Sequence, residues 1–151
     1  FKNARNDFDG EIERLISKGF ITKRQGEVLD RNKLLNLVNS PLTDRIVNSE
    51  KVYREFKFYT KILAKDALEN VPENFSEQKI ILQGAVDLAF VEDNSLVIVD
   101  YKTDRIKDVS ELKELYSQQL LLYKNAMEQC TPYKVSKCII YSITLGDFVE
   151  V

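Results

Sequence analysis

The stretch at residues 97–104, "VIVDYKTD", decides the fold prediction, because in it an uninterrupted apolar strand ends on an acid and a base. Side chains two residues apart in a strand point to the same face. Asp100 and Lys102 therefore project together, while Tyr101 points to the opposite face. Charges at the end of a buried strand cost several kcal/mol unless they are paired or hold a metal ion, so this pair needs an explanation.

A second aspartate, Asp87, lies in the preceding predicted strand, within "QGAVDLAF". A hairpin turn at "EDN", residues 92–94, brings Asp87 beside Asp100, because both residues lie at similar distances from the turn. Two carboxylates supply the hard oxygen ligands that Mg²⁺ takes in proteins. A metal ion and a nearby ammonium are what phosphodiester hydrolysis requires, with Lys102 orienting the attacking water or offsetting charge in the transition state.

An ordinary ion pair is the alternative to this metal site. It would join Asp100 to Lys102, or Asp104 to Arg105, at a solvated strand end. We favour the metal site, because the D-x-K triplet directly ends an apolar strand and a second aspartate lies in the neighbouring strand.

Glu55, in "YREFKF", is a third acid, on the first predicted strand. It alternates with Tyr53 and Lys57, so it need not face the core. It is either a solvent-facing glutamate or a group that ligates the metal ion or binds a metal-bound water. Both interpretations remain open, and Glu55 stays a candidate catalytic residue.

The predicted helix at residues 109–129 carries a glutamine inside its apolar stripe. The stripe consists of Leu112, Leu115, Tyr116, Leu122, Tyr123 and Ala126. Gln119 falls in its centre, and a glutamine on a buried face needs hydrogen-bond partners. Either the backbone satisfies it at the edge of the stripe, or it lies over the active site and binds a carboxylate, a water or a phosphate. Tyr116 and Tyr123 are ordinary core residues in the simpler interpretation, and we favour Tyr116 for a contact with DNA.

The hydrophobic pattern changes near residue 50. Before it, short helical patterns carry a capping box at Thr22 and Gln25, a helix-ending Gly19 and an N-cap followed by proline at residues 40–41. After it, alternation predicts three strands, one long helix and two further strands, and the polar residues 64–78 are predicted to form a loop. The strands are expected at residues 52–62, 79–91, 95–103, 137–145 and 148–151.

We therefore expect an α/β fold with a central mixed β-sheet. The helical segment of residues 1–50 would pack on one side of a core formed by residues 51–151, and the 109–129 helix on the other side. The strands read as hairpins rather than βαβ units, and the chain has neither a P-loop nor a GxGxxG motif. These features argue against a nucleotide-binding α/β domain.

Composition limits the remaining functions. The net charge is −2, so contact with DNA would depend on a local basic patch, on metal ions or on a parent protein. The chain has no histidine and only two cysteines, Cys130 and Cys138, so a zinc site is not expected and both are interpreted as reduced thiols. No apolar run is long enough to span a membrane, and no signal peptide is visible.

Three segments together, "GAVDLAF", "VIVDYKTD" and "YSQQLLLY", resemble the motif set of the PD-(D/E)XK nuclease superfamily in its RecB-like branch. They most closely resemble the C-terminal nuclease domain of the AddA family of helicase–nuclease subunits, and "SPLTDRIVNSEKVYREFKF" is similar to the segment that precedes the motifs in that family. The resemblance covers residue 40 to the C-terminus. It implies a restriction-endonuclease-like fold.

The resemblance also implies a function. This is Mg²⁺-dependent exonuclease activity, with Mn²⁺ as a substitute, on single strands of unwound DNA during double-strand-break repair and recombination in the cytoplasm. ATP would be used only by the helicase part of a parent protein, which would pair with an AddB-type second subunit.

Matched residue by residue, the resemblance assigns Asp87, Asp100 and the backbone carbonyl of Tyr101 as metal ligands. It assigns Lys102 as the catalytic lysine. The other matched positions lie on flanking elements: Glu55 on the first strand, and Tyr116 and Gln119 on the long helix, beside the substrate.

One feature of the RecB-like branch is missing from the chain. The family generally carries a metal-binding histidine on an upstream helix, whereas this chain begins at Phe1 and has no histidine. We expect the chain to be part of a longer protein in which that histidine precedes Phe1. The alternative function is a catalytically inert structural or protein-contact domain of a helicase subunit, in which the motif persists without activity.

Overall fold

The computed structural model describes residues 2–68 and 70–151, so Phe1, in the predicted helical segment, and Glu69, in the predicted loop, lie outside the described residues. The first third of the chain is helical, as predicted. Its helices are α1 (Lys2–Asn6), α2 (Phe8–Ser17), α3 (Lys23–Val28), α4 (Arg31–Val38) and α5 (Pro41–Asn48).

The remaining described elements are strands and helices in mixed order. They are β1 (Val52–Leu63), α6 (Ala64–Ala67), α7 (Glu73–Ser76), β2 (Lys79–Glu92), β3 (Ser95–Lys102), α8 (Ser110–Cys130), β4 (Val135–Ser142) and β5 (Asp147–Glu150). The predicted loop at residues 64–78 therefore contains two helical turns. Each has only four residues, which is too short for a helical period to appear in the sequence. No helix in the described part of the chain combines the length and the apolar character needed to cross a membrane.

The five strands form one mixed sheet in the order β1-β2-β3-β4-β5, which confirms the predicted fold class. The β1–β2, β2–β3 and β4–β5 pairs are antiparallel, whereas β3 and β4 are parallel. The expectation of hairpins alone is wrong at this point, because α8 connects β3 to β4 in a βαβ unit. A parallel pair cannot be closed by a tight turn, so it needs a long crossover connection.

Local signals in the sequence account for the ends of several elements. Thr22 and Gln25 form the complete capping box of α3, and Ser40 caps α5 ahead of Pro41. The turn between β2 and β3 has φ of 49° at Asp93 and 58° at Asn94, the left-handed pair that a two-residue hairpin loop requires.

Each face of the sheet has its own core. On one face α8 contributes Leu112, Leu120 and Met127, which are fully buried against strand residues that include Leu96 and Ile98. On the other face α4 and α5 pack over the strands. Their buried contacts are Leu37, Leu42 and Ile46 from the helices, with Leu88, Phe90, Val97 and Val99 from the sheet. The active-site candidates of β3 lie on the α8 face.

The buried stripe of α8 differs from the prediction. Leu115 is 63% exposed, whereas Leu120 and Met127, which the predicted stripe leaves out, are fully buried. The run of three leucines at residues 120–122 allows the stripe to be placed at more than one angle around the helix, and packing against the sheet selects the angle that buries Leu120.

β1 and β2 extend beyond the sheet as a two-stranded arm. They pair from Val52↔Phe90 to Leu63↔Lys79, whereas β2 pairs with β3 only as far as Leu88↔Val99. We call residues 56–63 and 79–86 the arm. Its α8 face carries Phe58, whose ring lies against Gly84, where an added Cβ would be 2.7 Å from the ring.

Candidate active site

Asp100 and Lys102 lie at the end of β3, on the face that α8 covers. Asp100 is 3% exposed, and the Lys102 Nζ lies 2.7 Å from the Asp100 Oδ2. Asp100 follows Leu96 and Ile98 at two-residue intervals, so it continues a row of buried side chains into the site. This ion pair is the only polar contact of the Asp100 Oδ2 among the described residues. A buried carboxylate oxygen therefore keeps capacity for a ligand.

Burial and the ion pair shift the pKa of each group in opposite directions. It raises the pKa of Asp100 above its ordinary value, and the nearby Lys102 ammonium offsets only part of that rise, while Asp87 and Asp104 add to it. For Lys102, burial alone would lower the pKa, but contact with the Asp100 carboxylate more than compensates and the pKa is raised. The lysine therefore stays protonated at neutral pH, as a cation held inside the site.

Gln119 of α8 contacts this lysine directly. The Lys102 Nζ donates a hydrogen bond of 3.1 Å to the Gln119 Oε1, and the Gln119 Nε2 donates one of 2.8 Å to the Tyr123 hydroxyl. Side chains rather than backbone groups satisfy the glutamine in its half-buried position. Gln119 and Tyr123 lie four residues apart, so their side chains are neighbours on the same face of α8.

Tyr116 covers the other side of the ammonium. The Lys102 Nζ lies 4.0 Å from the centroid of the Tyr116 ring, and the Tyr116 hydroxyl donates a 2.9 Å hydrogen bond to the Asp104 Oδ1. An aromatic face at this distance attracts a cation. Asp100, Gln119 and Tyr116 thus fix the position of the Lys102 ammonium from three directions.

Asp87 lies across β2 from the end of β3. In the register that pairs Leu88 with Val99, Asp87 is the next residue towards Asp100. Its Oδ2 accepts a 3.0 Å hydrogen bond from the backbone N–H of Tyr101. This bond places the Asp87 carboxylate beside the peptide that joins Tyr101 to Asp100. The Tyr101 side chain lies on the other face, where its ring packs edge-on against Tyr141 at 6.2 Å and burial raises its pKa.

Glu55 lies directly opposite Asp87, at the one step of the β1–β2 register that is not paired. Its φ of 46° is in the left-handed region, and its side chain is exposed. Both strands change the face that they present at this point: Tyr53 and Phe56, three residues apart, both pack against the α8 core. The backbone of Glu55 therefore lies opposite that of Asp87 on the neighbouring strand, but the Glu55 side chain is exposed and does not enter the buried site.

Hard oxygen donors gather at this strand end without forming a closed cage. Within residues 2–68 and 70–151, no group of three or more histidine, cysteine, aspartate or glutamate side chains is close enough to hold a metal ion. Two carboxylates, from Asp87 and Asp100, and the carbonyl of Tyr101 remain. Mg²⁺ is commonly held by one or two carboxylates and takes its other ligands from water and phosphate, so the donor set suits it.

Sequence reasoning misses the roles of two residues of the site. It considers Asp104 only as a partner of Arg105, yet Asp104 accepts the Tyr116 hydrogen bond, and it prefers Tyr116 to Tyr123, yet Tyr123 binds Gln119. The signal for Tyr123 is available in its four-residue spacing from Gln119. Asp104 carries no such signal, because β3 ends at Lys102 and strand alternation no longer applies.

Comparison with known proteins bears on the family of the chain. The family model described as the PD-(D/E)XK nuclease superfamily matches residues 5–146. The chain is 34% identical over 152 residues to an ATP-dependent helicase/nuclease subunit of Clostridium acetobutylicum, and 33% identical over 153 residues to one of Clostridium botulinum strain 657. Each match covers 99% of this chain and 12% of the relative.

The corresponding ATP-dependent helicase/nuclease protein from Clostridium kluyveri is 33% identical over 132 residues, which cover 87% of this chain and 11% of that protein. The chain therefore spans about one eighth of the length of these relatives. The family match runs through the helices from Phe8 to Cys130 and through strands β1 to β4. On that match, the chain belongs to the PD-(D/E)XK nuclease superfamily.

Proposed function

We propose that this chain hydrolyses DNA phosphodiester bonds with the help of a divalent metal ion. The observation that carries the proposal is the buried Asp100–Lys102 pair, held by Gln119 from α8 and flanked by Asp87 from β2. A purely structural ion pair would be expected at the surface, whereas this one is buried, and the Lys102 ammonium is the only polar partner of the Asp100 Oδ2 among the described residues.

The residues that would hold the metal ion are Asp87, Asp100 and the backbone carbonyl of Tyr101. Mg²⁺ is the expected ion and Mn²⁺ a substitute, because all three donors are hard oxygens. When bound, such an ion polarises the phosphate and lowers the pKa of a coordinated water.

The other side chains of the site would position the water and the substrate. Lys102 would orient the attacking water and offset the negative charge that develops on the phosphate, with its ammonium held ready by Gln119 and Tyr116. Gln119 and Tyr116 would also contact the substrate at the mouth of the site. Glu55, exposed beside Asp87, would bind a metal-bound water rather than the ion itself.

The relatives suggest the cellular setting. Their names describe an ATP-dependent helicase/nuclease, and this chain matches about one eighth of their length. We propose that it is the exonuclease domain of such an enzyme and acts on single strands from unwound DNA during repair and recombination in the cytoplasm. ATP would serve only the helicase part, and an AddB-type subunit would be the partner. Residues 1–50 would form a helical segment on the nuclease core of residues 51–151.

Cleavage of end-labelled single-stranded DNA tests the proposal. The wild-type chain should cut in Mg²⁺ or Mn²⁺ and not in EDTA, and both Asp87→Asn and Asp100→Asn should abolish cutting. Asp93→Asn is the matched control, because it makes the same chemical change at an exposed residue of the β2–β3 turn. Loss of cutting in the control, or its persistence in both site variants, would contradict the assignment.

An inert structural or protein-contact domain is the second candidate. It is favoured by the absence of a three-ligand cluster among the described residues and of any histidine in the chain. Titration with Mn²⁺ separates the two. An active site should bind the ion with a dependence on Asp87 and Asp100, whereas an inert domain should show no binding that these variants change.

A further inference from the structure

The arm has one face that the rest of the described chain leaves uncovered. Its other face packs on α8, where the Phe58 ring meets Tyr123 edge-on at 5.7 Å and Thr60 hydrogen-bonds to Gln129. On the uncovered face Tyr59 is 65% exposed and Ile81 55% exposed. A two-stranded arm is therefore supported from one side and open on the other.

The open face of the arm is basic and carries no acid. Strand alternation and the β1–β2 register place one set of eight residues on it. They are Lys57, Tyr59, Lys61 and Leu63 from β1, with Lys79, Ile81, Gln83 and Ala85 from β2. Among the described residues, none of the three lysines forms an ion pair, and all three side chains are exposed. Their charge is thus available to a ligand, although the whole chain has a net charge of −2.

The basic row leads towards the candidate active site. Arg54 precedes the unpaired step at Glu55 and is exposed on β1. The row ends at Lys57, two residues from the unpaired step that faces Asp87, but on the sheet face opposite α8. A strand bound to the row would therefore reach Asp87 and Asp100 by crossing the free edge of β1.

We propose that the open face of the arm binds single-stranded DNA and guides it to the active site. The inference rests on the proposed nuclease function and names a surface for its substrate. Lysines suit phosphates, and an exposed tyrosine between them offers a ring on which an unpaired base stacks. Bases inside a duplex do not expose their faces, so the aromatic ring favours a single strand over a duplex.

Anisotropy of a fluorescent oligothymidine in EDTA tests this surface without any cleavage. Lys57→Gln/Lys61→Gln should weaken binding about tenfold or more, and should reduce the slope of log affinity against log salt by about 1.4, since each phosphate contact to a single strand contributes about 0.7. Tyr59→Ala should weaken binding by about fivefold or more with the salt slope unchanged, whereas Tyr59→Phe should bind as the wild type does.

The matched control is Lys18→Gln/Lys23→Gln, which removes two exposed charges from the N-terminal helices instead of the arm. It should leave the affinity within about twofold, because the proposal assigns DNA binding to the arm and only a small part to non-specific attraction by the charge of the whole chain. Circular dichroism checks that each variant is folded. Equal losses in the arm and control variants would overturn the proposal.

Two further outcomes distinguish this proposal from an acidic protein ligand and from the proposed nuclease function. The first outcome is that an acidic peptide binds the arm and loses as much affinity as DNA does in the lysine variant, while Tyr59→Ala changes the affinity for neither ligand. That result would overturn the DNA assignment in favour of an acidic protein surface. The binding measurement needs no metal ion. A wild-type chain that binds DNA through the arm but never cuts would therefore support this surface while contradicting the proposed nuclease function.

Discussion

Replacement of Lys102 by methionine should destabilise the fold, because it leaves a buried carboxylate without its cation. The Asp100 side chain is 5% exposed and that of Lys102 16%, and 2.7 Å separates Nζ from Oδ2. At an effective dielectric constant of about 20, Coulomb's law gives about 6 kcal/mol of gross attraction at this separation. Desolvation of both groups offsets part of it, so we expect Lys102→Met to lower the free energy of unfolding by about 3 kcal/mol.

The double variant Asp100→Asn/Lys102→Met is the decisive comparison. It leaves neither charge buried, so it should unfold within about 1 kcal/mol of the wild type, and the double-mutant cycle should give a coupling energy of about 2 kcal/mol or more. Urea unfolding followed by circular dichroism in EDTA measures the wild type and the three variants without metal binding. Effects that add to within about 0.5 kcal/mol would refute the claim that these two charges are energetically coupled.

Two further predictions concern groups outside the site. The Glu92 carboxylate accepts hydrogen bonds of 3.0 and 2.7 Å from Arg45, and these bonds lower the pKa of Glu92. The stability that Glu92 contributes is therefore present above its unfolded-state pKa and is lost as the pH falls through the lowered folded-state pKa. Glu92→Gln should therefore cost about 0.5 kcal/mol at pH 7 and nothing in strong acid, as thermal melting at the two pH values will show. Burial raises the pKa of the Cys138 thiol to about 11, whereas Cys130 is exposed. A thiol reagent at pH 8 should label Cys130 rapidly and Cys138 only on unfolding; rapid labelling of both would contradict the packing.

The sheet and its charged strand end follow from simple periodicity. Two-residue alternation is enough to place Asp100 and Lys102 on one face of β3, and equal distances from the hairpin turn are enough to place Asp87 opposite. Helical spacing likewise puts Gln119 over the strand end, within reach of Lys102. In these cases a short-range pattern in the chain determines a relation in space.

Other features depend on packing that no local pattern encodes. Leu115 and Leu120 are equally apolar, and only contact with the sheet decides which of them is buried. The left-handed φ of Glu55 arises where β1 and β2 change face together, which is a property of two strands rather than of one. The Tyr116–Asp104 hydrogen bond joins a helix to a segment beyond a strand, so it requires the three-dimensional fold.

The central claim is that Lys102 acts in catalysis at a metal site formed by Asp87 and Asp100. The rate at which folded Lys102→Met cuts an end-labelled single strand in Mn²⁺, compared with the wild type, tests it most directly. We predict cutting by the wild type and a loss of about 100-fold or more in the variant, with Mn²⁺ binding retained, because the charge lost acts on the transition state rather than on the ion. Cutting by the variant at the wild-type rate, or no cutting by either protein, would contradict the claim for this chain.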